Sequence, residues 1–109
     1  MDARLPEVAD LLLLIERELR QLGLWSELMP PAQALASGAP FCVDTLALDQ
    51  WLQWIFVPRM KDLIEGGQAL PAVSGIAPMA EESYKHDLPR YKELIAHLSR
   101  FDQLLGTPS

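Results

Sequence analysis

The apolar residues near the start of the chain recur at the spacing of one helix face. Between Val8 and Leu22, leucine and isoleucine side chains fall at i, i+3, i+4 and i+7, while most charged side chains fall elsewhere. Pro6 suits the first turn of a helix, and Gly23 suits the residue that follows its end. The pattern predicts an amphipathic helix over residues 6–22.

A second helix is predicted over residues 46–66, and it is apolar on nearly every side. Thr45 can cap its first amides, and Gly66 suits its end. Pro58 lacks an amide hydrogen and crowds the carbonyl of Trp54, so we expect a bend at Pro58. The side chains predicted to form its buried stripe are Leu48, Trp51, Leu52, Ile55, Leu63 and Ile64.

A short third helix is predicted over residues 78–85, and the chain enters it through Pro78. Glu81 and Glu82 are expected in its first turns, because the helix dipole favours negative charge there. They are adjacent in sequence and would point about 100° apart on a helix, so we do not expect them to share a proton as a catalytic pair.

The last helix is predicted over residues 88–105, with Asp87 as its cap. The connections at residues 24–42 and 67–77 contain the proline and glycine residues typical of loops. No alternation typical of strands and no internal repeat is present. The sequence therefore predicts one all-α domain over residues 1–109, a small four-helix bundle with a proline-kinked second long helix and long prolyl connections.

The acidic composition narrows the classes of partner. The net charge is -6 and the isoelectric point is about 4.7, so duplex nucleic acid and anionic membranes are expected to repel the chain. The single cysteine, Cys42, cannot form an internal disulfide, which suits a reducing cytoplasm. No run approaches the ~20 apolar residues of a membrane span. We expect a soluble cytoplasmic protein that binds neither nucleic acid directly nor a membrane.

Candidate catalytic and metal-binding residues are few. His86 and His97 do not form the paired pattern of a zinc-binding helix, and Cys42 lies in a different segment. Without a partner base close in sequence, Cys42 is expected to be a small buried thiol rather than a nucleophile. The glycine pattern of a phosphate-binding loop is missing. We therefore expect no enzymatic activity, no metal and no cofactor.

Four short runs resemble the YqcC-like family of small bacterial proteins. They are Pro-Phe-Cys-Val-Asp-Thr-Leu at 40–46, Gln-Trp-Leu-Gln-Trp-Ile-Phe-Val-Pro-Arg-Met at 50–60, Leu-Pro at 70–71 and Ile-Ala-Pro-Met-Ala-Glu-Glu at 76–82. The resemblance extends over nearly the whole chain. It implies an all-α bundle of uncharacterised molecular function, whose members are often encoded beside a tRNA pseudouridine synthase. The family brings no catalytic residues with it.

The aromatic cluster of the second helix is the candidate functional surface. Trp54 and Val57 lie off the predicted stripe, and together with Phe56 they need cover from the third helix or from residues 24–42. Without that cover they would form an exposed aromatic patch, which usually marks a docking site. Both interpretations stay open here. The candidate partner or ligand surface comprises Trp54, Val57, Pro58, Arg59, Pro78 and Met79.

Two classes of function are compatible with this surface. The first is a non-enzymatic protein-interaction module, whose partner, by the family resemblance, is a tRNA pseudouridine synthase or another RNA-modification enzyme. The second is a pocket protein that binds a small apolar ligand within the bundle. A flat exposed patch would favour the first, and a concave apolar pocket would favour the second. Self-association through the same surface is also possible and would imitate either.

Overall fold

The computed structural model describes residues 3–42, 44–71 and 75–106, and every regular element in these ranges is helical. The predicted all-α class is therefore confirmed for this part of the chain. None of its helices is long and apolar enough to cross a membrane. The elements are α1 (Leu5–Gln21), α2 (Ala32–Leu35), α3 (Leu48–Trp51), a π-helical turn (Leu52–Phe56), α4 (Val57–Glu65), α5 (Ile76–Ser83) and α6 (Leu88–Leu105), with short 3₁₀ turns at Pro40–Cys42 and Lys85–Asp87.

The core is formed chiefly where α6 packs against α1 and α5. Helix α4 contacts α1, and α3 contacts α5, so the long second helical run closes the remaining side. The finer description, a four-helix bundle with a bend at Pro58, stays a prediction. The largest fully buried side chains are Val8, Ile15, Leu19, Leu52, Ile76, Leu94, Leu98 and Phe101.

The second helical run starts later than residue 46 because Thr45 does not cap it. Ala47 occupies the N-cap position, and its N–H donates to Oε1 of Gln50 at 2.9 Å. The Thr45 hydroxyl instead donates to the carbonyl oxygen of Ala34 at 2.7 Å. Thr45 therefore fastens the preceding connection to this corner of the molecule, and the predicted cap is wrong.

The π-helical turn changes which side chains of the run are buried. The N–H of Val57 donates to the carbonyl oxygen of Leu52, five residues back, so one extra residue is accommodated in this turn. Later side chains consequently rotate relative to an ideal α-helix. The buried residues are Leu48, Leu52, Gln53, Phe56, Val57 and Met60.

The predicted stripe of the second helix is wrong at Ile55, which is half-buried and does not join the core cluster, whereas Phe56 and Val57 are buried in it. The stripe members Trp51, Leu63 and Ile64 are half-buried and pack against the core.

Helix α5 begins at Ile76, before Pro78, because a side chain of α6 caps it. The N–H groups of Ile76 and Ala77 donate to the two carboxylate oxygens of Asp102, at 3.0 and 2.8 Å. A carboxylate at a helix N-terminus satisfies amides that have no partner within the helix and is favoured by the helix dipole. The cap comes from a residue distant in sequence, so local patterns could not reveal it.

The acids expected at the start of the third helix lie at its end. Glu81 and Glu82 are in the last turn of α5, and Glu82 forms an exposed ion pair with Lys85 at 2.8 Å. The expectation of an acidic first turn is wrong. Asp87 does occupy the N-cap position of α6, but its side chain makes no capping hydrogen bond. One reason is that Pro89, at the second helical position, has no amide hydrogen to donate.

Candidate functional site

An open groove of about 660 Å³ lies where the π-helical turn and α4 face α1 and the connection after α1. We call this site the groove. Its apolar part consists of Trp25, Trp54, Val57 and Pro58. Its polar and charged part consists of Glu16, Ser26, Glu27, Gln53, Lys61, Asp62 and Glu65.

Gln53 fixes one wall of the groove through two hydrogen bonds. Its side chain is 5% exposed, and its Oε1 accepts from the N–H of Ser26 at 2.9 Å. Its Nε2 donates to the carbonyl oxygen of Ser26. Buried amides are stable when both their donor and their acceptor are paired, as they are here. The bonds hold Ser26 against the π-helical turn, so its neighbours Trp25 and Glu27 border the groove.

Sequence reasoning missed Gln53 as a structural determinant of the site. The available signal was a lone amide between Leu52 and Trp54, inside an otherwise apolar helical run. A buried polar side chain in such a run needs a partner, but the sequence does not say where that partner lies.

Trp25 is held in place by a cation. The guanidinium carbon of Arg20 lies 4.5 Å from the centre of the Trp25 ring, within the range of cation–π contacts. Nε of Arg20 also lies 3.3 Å from a carboxylate oxygen of Glu16, one turn earlier on α1. The last turns of α1 therefore orient one of the two tryptophans of the groove.

The other tryptophan offers the groove an apolar surface rather than a hydrogen bond. Trp54 is half-buried, and its Nε1 is hidden from solvent without a hydrogen-bond partner among the described residues. The groove can therefore use the indole ring of Trp54 for packing, while its N–H is turned away from approaching molecules. Large aromatic rings of this kind are common anchors at protein interfaces.

Three of the predicted site residues come together in the groove, namely Trp54, Val57 and Pro58. Arg59 does not join them, because the next residue of a helix points about 100° away. It borders a separate cavity next to Trp51 on the other side of α4.

Pro78 and Met79 also lie outside the lining of the groove. Pro78 is exposed on α5, and Met79 is half-buried against the core. We expected the start of the third helix to close a groove beside Pro58. The residues that line the groove include none from that helix. Side chains of the first connection, Trp25 and Glu27, occupy that place.

The cavity next to Arg59 is small. Its volume is about 130 Å³, whereas pockets for drug-sized ligands usually hold roughly 300–1,000 Å³. It is lined almost entirely by apolar side chains, namely Trp51, Phe56, Met60, Pro71, Ile76, Phe101 and Leu105.

Negative charge dominates the rim of the groove. Four carboxylates, those of Glu16, Glu27, Asp62 and Glu65, face one ammonium group, that of Lys61. Glu16 is close to two cations, since Lys61 lies 4.0 Å from it and Arg20 lies 3.3 Å from it. Within the described ranges, no ion pair or hydrogen bond engages the carboxylates of the other three acids.

A pair of ionisable groups lies elsewhere, where the half-buried Asp49 of α3 is close to the buried Tyr84 after the end of α5. Burial raises the pKa of Asp49, and burial together with the nearby Asp49 carboxylate raises the pKa of Tyr84. The ring of Tyr84 stacks on that of Tyr91 with centroids 4.2 Å apart. These groups line no part of the groove. Asp49 and Tyr84 are polar groups within the interface between helices.

The remaining candidates for chemistry are dispersed. Cys42 is a free, buried thiol, as predicted. His86 is exposed beside the ring of Tyr91, with ring centres 5.7 Å apart, and His97 is half-buried. In residues 3–42, 44–71 and 75–106, no three side chains of histidine, cysteine, aspartate or glutamate converge as a metal site would require.

Comparison with known proteins places the chain among small, mostly uncharacterised relatives. A family model described as tRNA pseudouridine synthase C matches residues 7–104. An uncharacterized protein of Haemophilus influenzae is 40% identical over 86 residues, which are 79% of this chain and 80% of that protein. The uncharacterized protein YqcC of Escherichia coli is 34% identical over 92 residues, which are 84% of each.

A third relative has a name that refers to an activity. A tRNA pseudouridine synthase C of Pectobacterium carotovorum is 44% identical over 57 residues, which are 52% of this chain but 15% of that protein. The likeness is thus confined to a small segment of a much longer polypeptide.

The fold has a counterpart among solved structures. The solution NMR structure of protein YqcC from E. coli matches with a TM-score of 0.85 at 30% sequence identity, covering 99% of this chain and 92% of that one. This similarity of fold agrees with the similarity of sequence over most of both chains. The chain belongs to the YqcC-like family.

Proposed function

We propose that this chain is a non-enzymatic protein-interaction module that serves a tRNA pseudouridine synthase or another RNA-modification enzyme. The observation that carries the proposal is the similar segment within a single polypeptide named tRNA pseudouridine synthase C. Covalent linkage keeps two units at a high effective concentration. Where the units are separate chains, a docking surface has to supply the same association.

The groove is the proposed docking surface. Trp54, Val57 and Pro58 form its apolar part together with Trp25, and tryptophan is enriched among the residues that dominate binding energy at interfaces. The groove is open rather than enclosed, which suits a segment of another protein. Arg59, Pro78 and Met79, which do not line it, are left out of this proposal.

The proposed partner is the enzyme and not its RNA. The chain carries a net charge of -6, so contact with a phosphate backbone would be opposed by charge repulsion and would lack the lysines and arginines that release counterions. An acidic protein is better suited to a basic surface, such as an RNA-modification enzyme uses to hold its substrate.

A small apolar ligand is the alternative function. The apolar cavity next to Arg59, which would favour it, holds about 130 Å³, below the usual size of a ligand pocket. The groove is larger, but it is open and its rim is charged. These two observations are the reason for preferring a protein partner.

Isothermal titration of the purified chain with tRNA pseudouridine synthase C of the same organism tests the proposal. We expect a complex that persists after ribonuclease treatment and is lost in Trp54→Ser. Leu88→Ser is the matched control, because Leu88 is an apolar side chain that is 44% exposed and lies outside the groove. The proposal fails if wild type and Leu88→Ser bind neither this synthase nor another RNA-modification enzyme.

A further inference from the structure

We infer that the groove binds a basic segment of its protein partner, in which lysine or arginine side chains flank an apolar anchor. The inference rests on the proposed function and specifies the chemistry of the partner. The length of the groove, the charge of its rim and the charge of the whole chain support it.

The groove is long enough for a segment of polypeptide. A second depression, lined by Ala9, Leu13 and Ile64 among others, shares Lys61 and Glu65 with it. The apolar surface therefore continues along the seam between α1 and α4. From Ala9 to Glu16 the helical rise is about 10 Å, which adds two helical turns to the length of the site.

An exposed apolar side chain lines the second depression. Leu13 is 62% exposed there. Within the groove itself, Trp25 and Trp54 are half-buried and Pro58 is exposed, so apolar surface is available to a partner. Contiguous apolar surface of this kind is typical of a docking site. An anchor on the partner would cover the rings of Trp25 and Trp54.

The rim specifies the charge of the occupant. Glu27, Asp62 and Glu65 have no counter-ion among the described residues, and their carboxylates surround the apolar part of the groove. Complementary charge on an incoming segment would be attracted to this rim and held in register. An acidic segment would meet repulsion at each of these positions.

Electrostatic repulsion disfavours the other occupants of the groove. A second copy of this chain has a net charge of -6 and would bring further negative charge to the rim. RNA and anionic lipid would be repelled more strongly. A basic protein segment is the occupant whose charge matches both the rim and the whole molecule.

Two synthetic hexapeptides test the inference directly. One has a Leu-Phe centre flanked by two lysines on each side, and the other has glutamates in place of the lysines. We expect the basic peptide to shift the indole N–H signals of Trp25 and Trp54 in an NMR titration, while the signal of Trp51 stays unchanged. Trp51 lies on the other side of the same helical run and is an internal reference. Binding should weaken as salt is raised.

Charge variants that keep the fold give the second readout. Asp62→Asn with Glu65→Gln should raise the Kd of the basic peptide about fivefold at low salt, since two exposed charges that attract it are removed. Lys61→Gln removes a cation of the rim and should lower the Kd about twofold. Glu81→Gln with Glu93→Gln is the control, because it changes the net charge equally at exposed sites outside the groove.

The outcomes separate the inference from the proposed function. If the synthase binds but the rim variants leave its Kd unchanged, the inference is wrong and the proposed function stands. If the synthase does not bind while the basic peptide does, with the expected shifts, the inference stands alone. Equal binding of both peptides would overturn it, as would a concentration-dependent dimer that Trp54→Ser abolishes in sedimentation.

Discussion

Trp51 and Trp54 lie three residues apart on one helical run, yet they have different surroundings. The rings of Trp51 and Phe41 meet in a T-shaped arrangement at 5.0 Å between ring centres, and Trp51 stacks on Phe56 at 5.5 Å. Phe56 in turn meets Phe101 of α6 at 4.9 Å. Trp54 instead borders the groove, beside Trp25 and a rim of carboxylates.

The difference shows how this chain uses a helix that is apolar on nearly every side. On the side of Trp51 a chain of aromatic rings from Phe41, Phe56 and Phe101 provides the cover, and each such pair contributes about 0.5–1.5 kcal/mol beyond the burial of area. On the side of Trp54 the cover is a loop, fastened by Gln53 and Ser26. We expect stability to depend mainly on the first side and binding on the second.

Removing the aromatic ring of α6 on the covered side should have the largest effect. Phe101 is fully buried, so Phe101→Ala is expected to lower the free energy of unfolding by about 3–5 kcal/mol. Urea unfolding followed by circular dichroism measures this. Leu88→Ala, at an exposed position of the same helix, is the control and should lose much less. A loss below about 1 kcal/mol in Phe101→Ala would contradict the assignment of this ring to the core.

Truncating each tryptophan in turn tests the comparison itself. Trp51→Ala loses two ring contacts and should cost about 2–3 kcal/mol, whereas Trp54→Ala should cost about 1–2 kcal/mol. In the binding assay the order should reverse, with Trp54→Ala weakening the complex more than Trp51→Ala. Equal losses of stability and of affinity would mean that the two sides of the helix do not differ in role.

Releasing the loop should have a smaller effect on stability, of about 1 kcal/mol. Gln53→Leu removes both hydrogen bonds to Ser26 but keeps an apolar side chain in place, and a net hydrogen bond contributes about 0.5–1.5 kcal/mol. Amide hydrogen exchange at Ser26 should become faster, and partner binding should weaken because Trp25 is no longer held.

The matched control for this variant is Gln50→Leu, which removes a single exposed hydrogen bond at the start of α3. It should leave exchange at Ser26 unchanged. If exchange at Ser26 is equally slow in wild type and Gln53→Leu, the two bonds do not fasten the loop.

The smallest expected effect concerns the half-buried carboxyl of Asp49 in α3. Burial raises the pKa of Asp49 above its ordinary value of 3.8, so the folded chain binds this proton more readily than the unfolded chain does. Stability contributed by this group is therefore lost as pH rises from 3.8 through the folded-state pKa. Asp49→Asn should gain stability at pH 7 and show a smaller gain near pH 4.

Urea unfolding at both pH values measures this difference, with Asp10→Asn, an exposed carboxyl of α1, as the control. A gain in Asp49→Asn that is the same at pH 7 and pH 4 would contradict the assignment.

Local periodicity was sufficient for the first and last long helices. These helices were predicted over residues 6–22 and 88–105, and in the structure they span Leu5–Gln21 and Leu88–Leu105. An amphipathic stripe that ends at a glycine is a local signal, so it can be found from the sequence. Local periodicity did not predict where α5 begins, because its first amides are capped by Asp102 from another helix.

The candidate site was predicted only in part, for the same physical reason. Trp54, Val57 and Pro58 could be named because a helix apolar on all sides must be covered or must bind something. Gln53 and Trp25 could not, because their roles depend on where a loop lies against that helix.

The sequence by itself determined the helical class, the family and the acidic charge, because these follow from local spacing, shared motifs and composition. The tertiary structure alone decided which aromatic rings are covered and which border a groove. The physical reason is that a π-helical turn rotates the side chains after Leu52, and a buried amide pairs with a loop residue distant in sequence. Neither the rotation nor the pairing has a local pattern from which it could be predicted.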